Sequence, residues 1–249
     1  MPDRVTWIGH ATTLLELGGA RLLTDPVLRN RVGPLVRHGP PPPADVAEGL
    51  DAVLLSHLHH DHADLPSLRT LDRGTPVFGS RGSGRFLSRR GFTEVVEMAP
   101  GDSASVGGLR ITAVEADHPS EHWLERDSDA VGFVVEARRR IYFAGDTDLF
   151  AGMKGLGPEL DLALLPIWGW GPNIGAGHLD PARAARAAAL IAPRMAIPIH
   201  WGTLYPFGLS RLRPDPLRSP PERFAAAMNE LAPQVEARVL APGDSLSLA

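Results

Sequence analysis

Ser56-His57-Leu58-His59-His60-Asp61-His62 follows directly on the apolar run Ala52-Val53-Leu54-Leu55. The run has the length and composition of a buried strand, so it delivers imidazoles and a carboxylate to one edge of a sheet. In extended backbone His57 and His59 project to the same side, because side chains alternate with a period of two. Asp61 and His62 fall where the chain turns into its next element, and they can face the same point from another direction. His60 alternates away from His57 and His59 and is not expected among the ligands. Neutral imidazole nitrogen and carboxylate oxygen are the donors that a borderline cation such as zinc accepts. A polar surface loop has no need of this order of residues, so the stretch reads as a metal-binding segment.

Upstream of it, Val5 to Ile8, Thr13 to Leu17 and Arg21 to Thr24 read as strands, the last two joined through Gly18-Gly19. Residues 29–49 carry Pro40-Pro41-Pro42-Pro43 and little periodicity, which predicts a loop that could border the site. Downstream, Asp64 caps a helix that begins at Leu65, with Gly74 as its stop. Pro76 to Phe78 is a strand and Gly82 to Arg90 a helix. Thr93 to Met98, Ser103 to Val106 and Leu109 to Glu115 are strands. A loop over 116–129 leads to a hairpin of Ala130 to Ala137 with Arg140 to Ala144. Asp161 to Leu165 is a strand that empties into the Gly/Trp-rich loop from Trp168 to Gly177. Asp180-Pro181 opens a helix to Ile191, Met195 to Ile199 is a strand, and Ser219-Pro220-Pro221-Glu222 opens a helix to Leu231. Ala237 to Leu240 is expected to close the chain as a strand. The second part repeats the plan of the first, and two facing sheets with helices outside would bury this many apolar strands in one domain over 1–249.

The 249 residues are 43% hydrophobic and 22% charged, within the range of soluble globular proteins, and long enough to bury a substantial core. A formal net charge of -4 argues against a nucleic-acid binder, whose footprint is basic. With no cysteine, neither disulfides nor thiolates can hold the fold or a metal. Met1-Pro2-Asp3-Arg4 has no basic segment leading into an apolar one, and no run reaches membrane-spanning length, so a cytoplasmic location is expected. No long amphipathic segment suggests peripheral contact with a membrane.

Beyond the central stretch, His118, His178 and His200 each sit at or just past a predicted strand end, as does Asp146 after Ile141-Tyr142-Phe143-Ala144-Gly145. A lone histidine in any of these places is commonly structural. Several donor types at successive strand ends point to one rim on which they converge.

His57-Leu58-His59-His60-Asp61-His62 matches the HxHxDH signature of the metallo-β-lactamase fold superfamily. Gly9-His10-Ala11-Thr12, Leu23-Thr24-Asp25-Pro26, Gly145-Asp146-Thr147 and Ile199-His200-Trp201-Gly202-Thr203 narrow the resemblance further. Together they resemble the branch that contains N-acyl-phosphatidylethanolamine-hydrolysing phospholipase D and L-ascorbate-6-phosphate lactonase. The likeness runs from about Val5 to Thr203.

This resemblance implies an α/β fold, the αββα four-layer sandwich, holding two divalent metal ions, zinc first and manganese or iron as alternatives. His57, His59 and His118 would bind one ion, Asp61, His62 and His200 the other, and Asp146 would bridge them. For the third ligand of the first ion, His118 is preferred because a strand end fixes a side chain. His122, in His122-Trp123, is the alternative that resembles the phospholipase wording. The resemblance also sets His178, within Gly177-His178-Leu179-Asp180-Pro181, against the substrate, where it would donate to a phosphoryl or carbonyl oxygen; a capping role is the plainer reading. His10 would order backbone or a ligand from behind, and His38 carries no assignment. Arg81, Arg85, Arg89 and Arg90 could hold a phosphate, although a solvated helix face explains them as well. Trp168, Trp170 and Trp201 would wall a pocket or fill core.

The function implied is a binuclear metal-dependent hydrolase. A bound cation lowers the pKa of its water from about 15.7 to about 7, so hydroxide exists at neutral pH. Asp61 and His178 would be the catalytic side chains. The substrate would be a small anionic molecule, a phosphodiester or phospholipid-like ester first and a lactone of a phosphorylated sugar acid second. A redox di-iron protein of this fold would carry an acid in place of His59. A non-catalytic metal-binding protein would be expected to have lost ligands.

Overall fold

The computed structural model describes residues 2–119, 128–156 and 159–248. β1 (Arg4–Gly9), β2 (Thr12–Leu17) and β3 (Ala20–Thr24) form an antiparallel meander. β4 (Arg31–Val32) and β5 (Leu35–Arg37) pair with each other, and β6 (Ala52–Leu55), β7 (Val77–Ser80) and β8 (Val95–Met98) continue parallel from β3. β9 (Ser103–Val106), β10 (Leu109–Glu115), β11 (Val131–Glu136) and β12 (Arg140–Phe143) form a second meander. β13 (Leu162–Pro166) and β14 (Met195–Ile199) extend it in parallel; β15 (Leu204–Pro206), β16 (Glu236–Ala237) and β17 (Ser245–Ser247) complete the strands. The helices are α1 (Leu65–Leu68), α2 (Ser83–Ser88), α3 (Pro181–Ile191), α4 (Asp215–Arg218) and α5 (Pro220–Leu231).

Among the described residues one sheet has the order β17-β1-β2-β3-β6-β7-β8 and the other β16-β14-β13-β12-β11-β10-β9. Alternation along the strands then sorts the core into layers. Leu22 and Leu54 join Ile111, Phe133, Leu164 and Ile197 between the sheets. Their neighbours Leu23, Val53 and Leu55 turn to the opposite face and pack with Leu68 of α1 and Phe86 and Leu87 of α2. Ala163 and Leu165 likewise face Ala184 and Ala188 of α3 and Phe224 and Met228 of α5. The result is the αββα sandwich. Burial contributes about 1.5–3 kcal/mol for each large apolar side chain. Truncating the fully buried Phe133 to alanine would cost about 3–5 kcal/mol.

β1, β3, β6, β10, β12 and β14 all end towards one rim, where His10, Asp25, His57, His118, Asp146 and His200 follow them. Side chains remote in sequence thus meet where parallel strands run out, a common place for binding sites in α/β sheets.

Three sequence expectations are corrected. The 29–49 stretch is not loop throughout: β4 and β5 join β15 in a small third sheet of order β15-β5-β4. Two- and three-residue strands leave too short a pattern to read. α1 ends at Leu68, well before Gly74, and Thr70 donates its hydroxyl to the Ser67 carbonyl just past its end. The closing strand expected over Ala237 to Leu240 pairs only at Glu236 and Ala237. The chain then turns at Ala241 to Asp244, and Ser245 to Ser247 takes the open edge of β1.

Candidate metal centre

The rim holds two groups of donor atoms. His57 Nε2 lies 2.9 Å from His59 Nδ1, and His118 Nε2 lies 3.1 Å from the same atom. The second group joins His62 Nε2 and His200 Nε2 at 3.0 Å, with Asp61 Oδ2 3.6 and 3.7 Å from them. Asp146 stands between the groups. Its Oδ2 is 3.2 Å from His62 Nε2 and its Oδ1 3.2 Å from His200 Nε2, while it also clusters with His118 and His178.

Four of the imidazoles, those of His57, His62, His118 and His200, are turned by a hydrogen bond on the far side. His118 Nδ1 donates to the Gly177 carbonyl at 2.8 Å and His200 Nδ1 to the Trp168 carbonyl at 3.1 Å. His62 Nδ1 donates to Asp25 Oδ2 at 2.7 Å. The Ser56 hydroxyl donates to the same oxygen at 2.6 Å and accepts from His57 Nδ1 at 2.9 Å. Since carbonyls only accept, His118 and His200 carry a proton on Nδ1, and Nε2 is the atom that each turns to the centre. Nitrogens about 3 Å apart must share a proton or a cation, since two bare lone pairs at that distance repel. Nitrogens bound tetrahedrally at about 2.0–2.1 Å would stand roughly 3.3 Å apart, close to the spacings observed. The orphaned Asp146 Oδ1, buried without a hydrogen-bond partner, is a further donor awaiting a cation. The residues therefore fit a divalent metal.

Electrostatics agree with this. Burial, reinforced by His62 and His118, holds His57 well below the ordinary histidine value, and burial lowers His118 to about 4. Both are neutral at pH 7, the form that ligates. Burial opposes ionisation of Asp61 and Asp146, yet the surrounding histidines keep both carboxyls well below the usual range. Burial also presses on His62, but Asp146, Asp61 and Asp25 raise it well above the ordinary value.

The backbone is bent to build this rim. Among the described residues the non-glycine positive φ angles are at His10 (54°), Asp25 (33°), His200 (62°) and Ala192 (53°). The first three belong to the site, where such strain commonly collects at about 1–3 kcal/mol each; Ala192 caps the end of α3. Gly145, with φ 60°, precedes Asp146, and a Cβ there would stand 2.5 Å from Ser56 Cβ. Only glycine lets the end of β12 close on the end of β6 and bring Asp146 to the histidines.

The expected residues are thus largely brought together: His57, His59, Asp61, His62, His118, Asp146 and His200 converge. His178 joins them at the rim, half-buried, its Nε2 3.4 Å from Asp146 Oδ2. His60 is exposed, as its alternation predicts. His122 lies outside the described residues. His10 is fully buried, donates from Nε2 to Asp61 Oδ2 at 2.8 Å and has its ring centroid 3.8 Å from that of His200. Asp25, which sequence reasoning left without a role, orients His62 directly and His57 through Ser56. Its signal was a carboxylate closing a buried strand.

A cleft of about 660 Å³ opens on this centre. His59, Asp61, Asp146 and His178 form its polar side, and Val32, Leu35, Leu65, Pro66 and Trp170 an apolar wall. Bordering by the 29–49 stretch is as expected. Arg81, Arg85, Arg89 and Arg90 do not line it. Arg29, the guanidinium that does, is held by Asp64 in a bidentate pair at 2.6–3.0 Å. Of the tryptophans, Trp168 orients His200 through its carbonyl, Trp170 walls the cleft, and Trp201 packs on Trp7 at 5.1 Å in the core.

The family described as Beta-lactamase superfamily domain matches residues 20–201. A UPF0173 metal-dependent hydrolase of Rubrobacter xylanophilus is 34% identical over 258 residues, covering 98% of this chain and 96% of its own length. An uncharacterised protein of Mycobacterium tuberculosis is 36% identical over 244 residues, 90% of this chain but 63% of that protein. The chain therefore spans less than two thirds of that relative's length. Among solved structures, the metallo hydrolase Igni18 of Ignicoccus hospitalis shares the fold, with a TM-score of 0.75 at 24% identity over 100% of this chain and 99% of its own.

Proposed function

The chain belongs to the beta-lactamase superfamily, and on that premise we propose that it is a metal-dependent hydrolase using two divalent cations, zinc first and manganese or iron as alternatives. The observation that carries this reading is the pair of converging donor groups with Asp146 between them. On this reading His57, His59 and His118 hold one ion, Asp61, His62 and His200 the other, and Asp146 both. The bound ions supply Lewis acidity and a water activated at neutral pH. Asp61, fixed by His10, would help hold the second ion, and its carboxylate would orient the attacking water and serve as the proton acceptor. His178 lines the cleft beside Asp146. Burial works against its proton, but the hydrogen bond to Asp146 outweighs this and raises its pKa. Its place on the cleft wall would let it donate to the substrate oxygen that gains charge.

The apolar wall selects among substrates. A phosphodiester or phospholipid-like ester has an apolar group to lay along Val32, Leu35 and Trp170. A lactone with an apolar substituent is the second reading. A phosphorylated sugar lactone is less well matched, because the cleft's guanidinium is already engaged by Asp64. Residues 1–249 act on this reading as one hydrolase domain on a small molecule in the cytoplasm.

The test is metal analysis of the purified protein with hydrolysis of bis(p-nitrophenyl) phosphate, aryl and alkyl lactones and nitrocefin. The expected result is about two metals per chain and a kcat/KM for the phosphodiester above that for nitrocefin, abolished by chelator and restored by Zn²⁺ or Mn²⁺. Lactones opened while every phosphodiester stays intact would move the assignment to the second reading. Metal bound with no hydrolysis of any class would leave a binding protein.

A further inference from the structure

Away from the metal cleft, a cavity of about 670 Å³ is lined by His38, Gly202, Ser210, Arg211, Leu217 and Arg218, with Pro214. A smaller one of about 360 Å³ shares His38, Ser210 and Arg211 and reaches Val36 and Phe207. No carboxylate lines either cavity. Residues 29–38 and 204–218 together hold six arginines and one acid, Asp215, in a chain whose net charge is -4; Arg37 is buried and Arg29 is paired with Asp64, which leaves Arg31, Arg211, Arg213 and Arg218 at the surface. Arg223 takes Asp215 at 3.0 Å, and among the described residues Arg211, Arg213 and Arg218 have no carboxylate partner. Beside this cationic surface two large apolar side chains stand in solvent, Phe207 at 77% and Leu212 at 80% exposure. The patch is continuous with the active-site mouth: Phe207 N donates to the Pro34 carbonyl at 3.0 Å, and Pro34 lines the metal cleft.

We propose that this face, built from the β4–β5 turn and the 204–218 segment, docks the protein on an anionic phospholipid bilayer. The cavity of His38, Ser210, Arg211 and Arg218 takes a phosphate headgroup, and Phe207 and Leu212 enter the apolar layer. Guanidinium groups match phosphate oxygens in charge and geometry. A free phosphate ion would leave the exposure of Phe207 and Leu212 without a use. A second copy of the chain seated symmetrically on this face would set arginines against arginines. The sequence conceals the surface because it is no amphipathic helix; two short segments, far apart in the chain, assemble it. Docking here would turn the cleft mouth towards the membrane.

The full chain is tested by flotation with vesicles of phosphatidylcholine alone and of phosphatidylcholine with phosphatidylglycerol. Binding should require phosphatidylglycerol and weaken with salt. Each basic residue near an anionic surface strengthens binding roughly fivefold, so Arg211→Gln with Arg218→Gln should weaken it roughly 25-fold. Phe207→Ser with Leu212→Ser should weaken it more than about tenfold. These four side chains are exposed or line the cavity rim, so both variants should keep the parent's melting temperature and its hydrolysis of a soluble substrate. The proposal is overturned by binding to vesicles that ignores lipid charge or survives both double substitutions. It is overturned also by calorimetric binding of inorganic phosphate without vesicle binding, which would make the cavity a free-anion site. A dimer in sedimentation that Phe207→Ser with Leu212→Ser dissociates, again without vesicle binding, would make the face an interface between copies.

Discussion

The two sheets repeat one plan, yet they supply the candidate metal centre in different ways. The first sheet gives His57, His59, Asp61 and His62 from one stretch of six residues after β6. The second gives His118, Asp146 and His200 from the ends of three strands. Donors of the first kind are placed by local backbone, and one carboxylate, Asp25, steadies two of them, His57 and His62. Donors of the second kind are placed by strand register, such as Tyr142 opposite Ala163 and Leu164 opposite Ile197. A change in the first group should therefore act through side-chain orientation, and a change in the second through how the two sheets close on each other.

The sharpest test is at the seam. Asp146 approaches both donor groups, so on the proposed reading Asp146→Ala should strip metal from both sites. Lewis-acid stabilisation is worth several kcal/mol, so kcat/KM should fall on the order of 10³-fold. His118→Ala should remove one metal per chain, whereas His122→Ala should spare both. If metal analysis finds His122→Ala alone depleted, the ligand comes from the loop and the strand-end argument is wrong.

Next in size is Asp25. It bonds residues 31 and 37 positions away, so Asp25→Asn disturbs His62 directly and His57 through Ser56. Losing such an orienting partner typically weakens metal affinity about 10- to 100-fold, and here both sites should weaken. Ser56→Ala should affect the His57 site alone. Equal weakening of both sites by Ser56→Ala, measured by competition with a chelating dye, would break the proposed division.

The same contrast explains what could be read from sequence. The HxHxDH stretch after an apolar strand was legible because its donors are neighbours and alternate as a strand requires. His118, Asp146 and His200 were legible as polar residues at strand ends, and their convergence became visible only with sheet order. The role of Asp25 was hidden because its partners lie beyond any local window. So was the small sheet of β4, β5 and β15, whose strands are too short to carry a period. His10 was expected behind a ligand, but its contact with both sheets depends on a positive φ that no pattern announces.

His178 separates binding from chemistry. It sits at the cleft with its Nε2 3.4 Å from Asp146 Oδ2, clustered with Asp146 and His118. His178→Ala should keep about two metals and lower turnover about 10- to 100-fold, the worth of one hydrogen bond to developing charge. Loss of metal would make it a ligand. Unchanged kcat would reduce it to a cap ahead of α3.

The smallest effect on catalysis is expected at His10, which ties the sheets together. It ends β1, donates to Asp61, packs its ring on that of His200 and accepts the backbone N–H of His200 at 2.8 Å. Asparagine tolerates its positive φ, so His10→Asn tests the side chain without breaking the turn. Metal affinity should fall about tenfold at the Asp61 site and not at the His57 site. The metal-free protein offers a second readout. Burial, then the nearby His200, lowers His10 to about 3, whereas the unfolded chain takes up this proton near pH 6.5. Stability from keeping His10 neutral is thus fully present above pH 6.5 and is lost as pH falls towards 3, at up to about 1.4 kcal/mol per pH unit. The variant lacks this loss. Urea unfolding of the chelated proteins should therefore show the advantage of the parent over His10→Asn shrinking by up to about 2.7 kcal/mol between pH 6.5 and 4.5. An advantage that stays constant over that window would mean that His10 is protonated in the folded chain, and that Asp61 is held by charge as well as by a hydrogen bond.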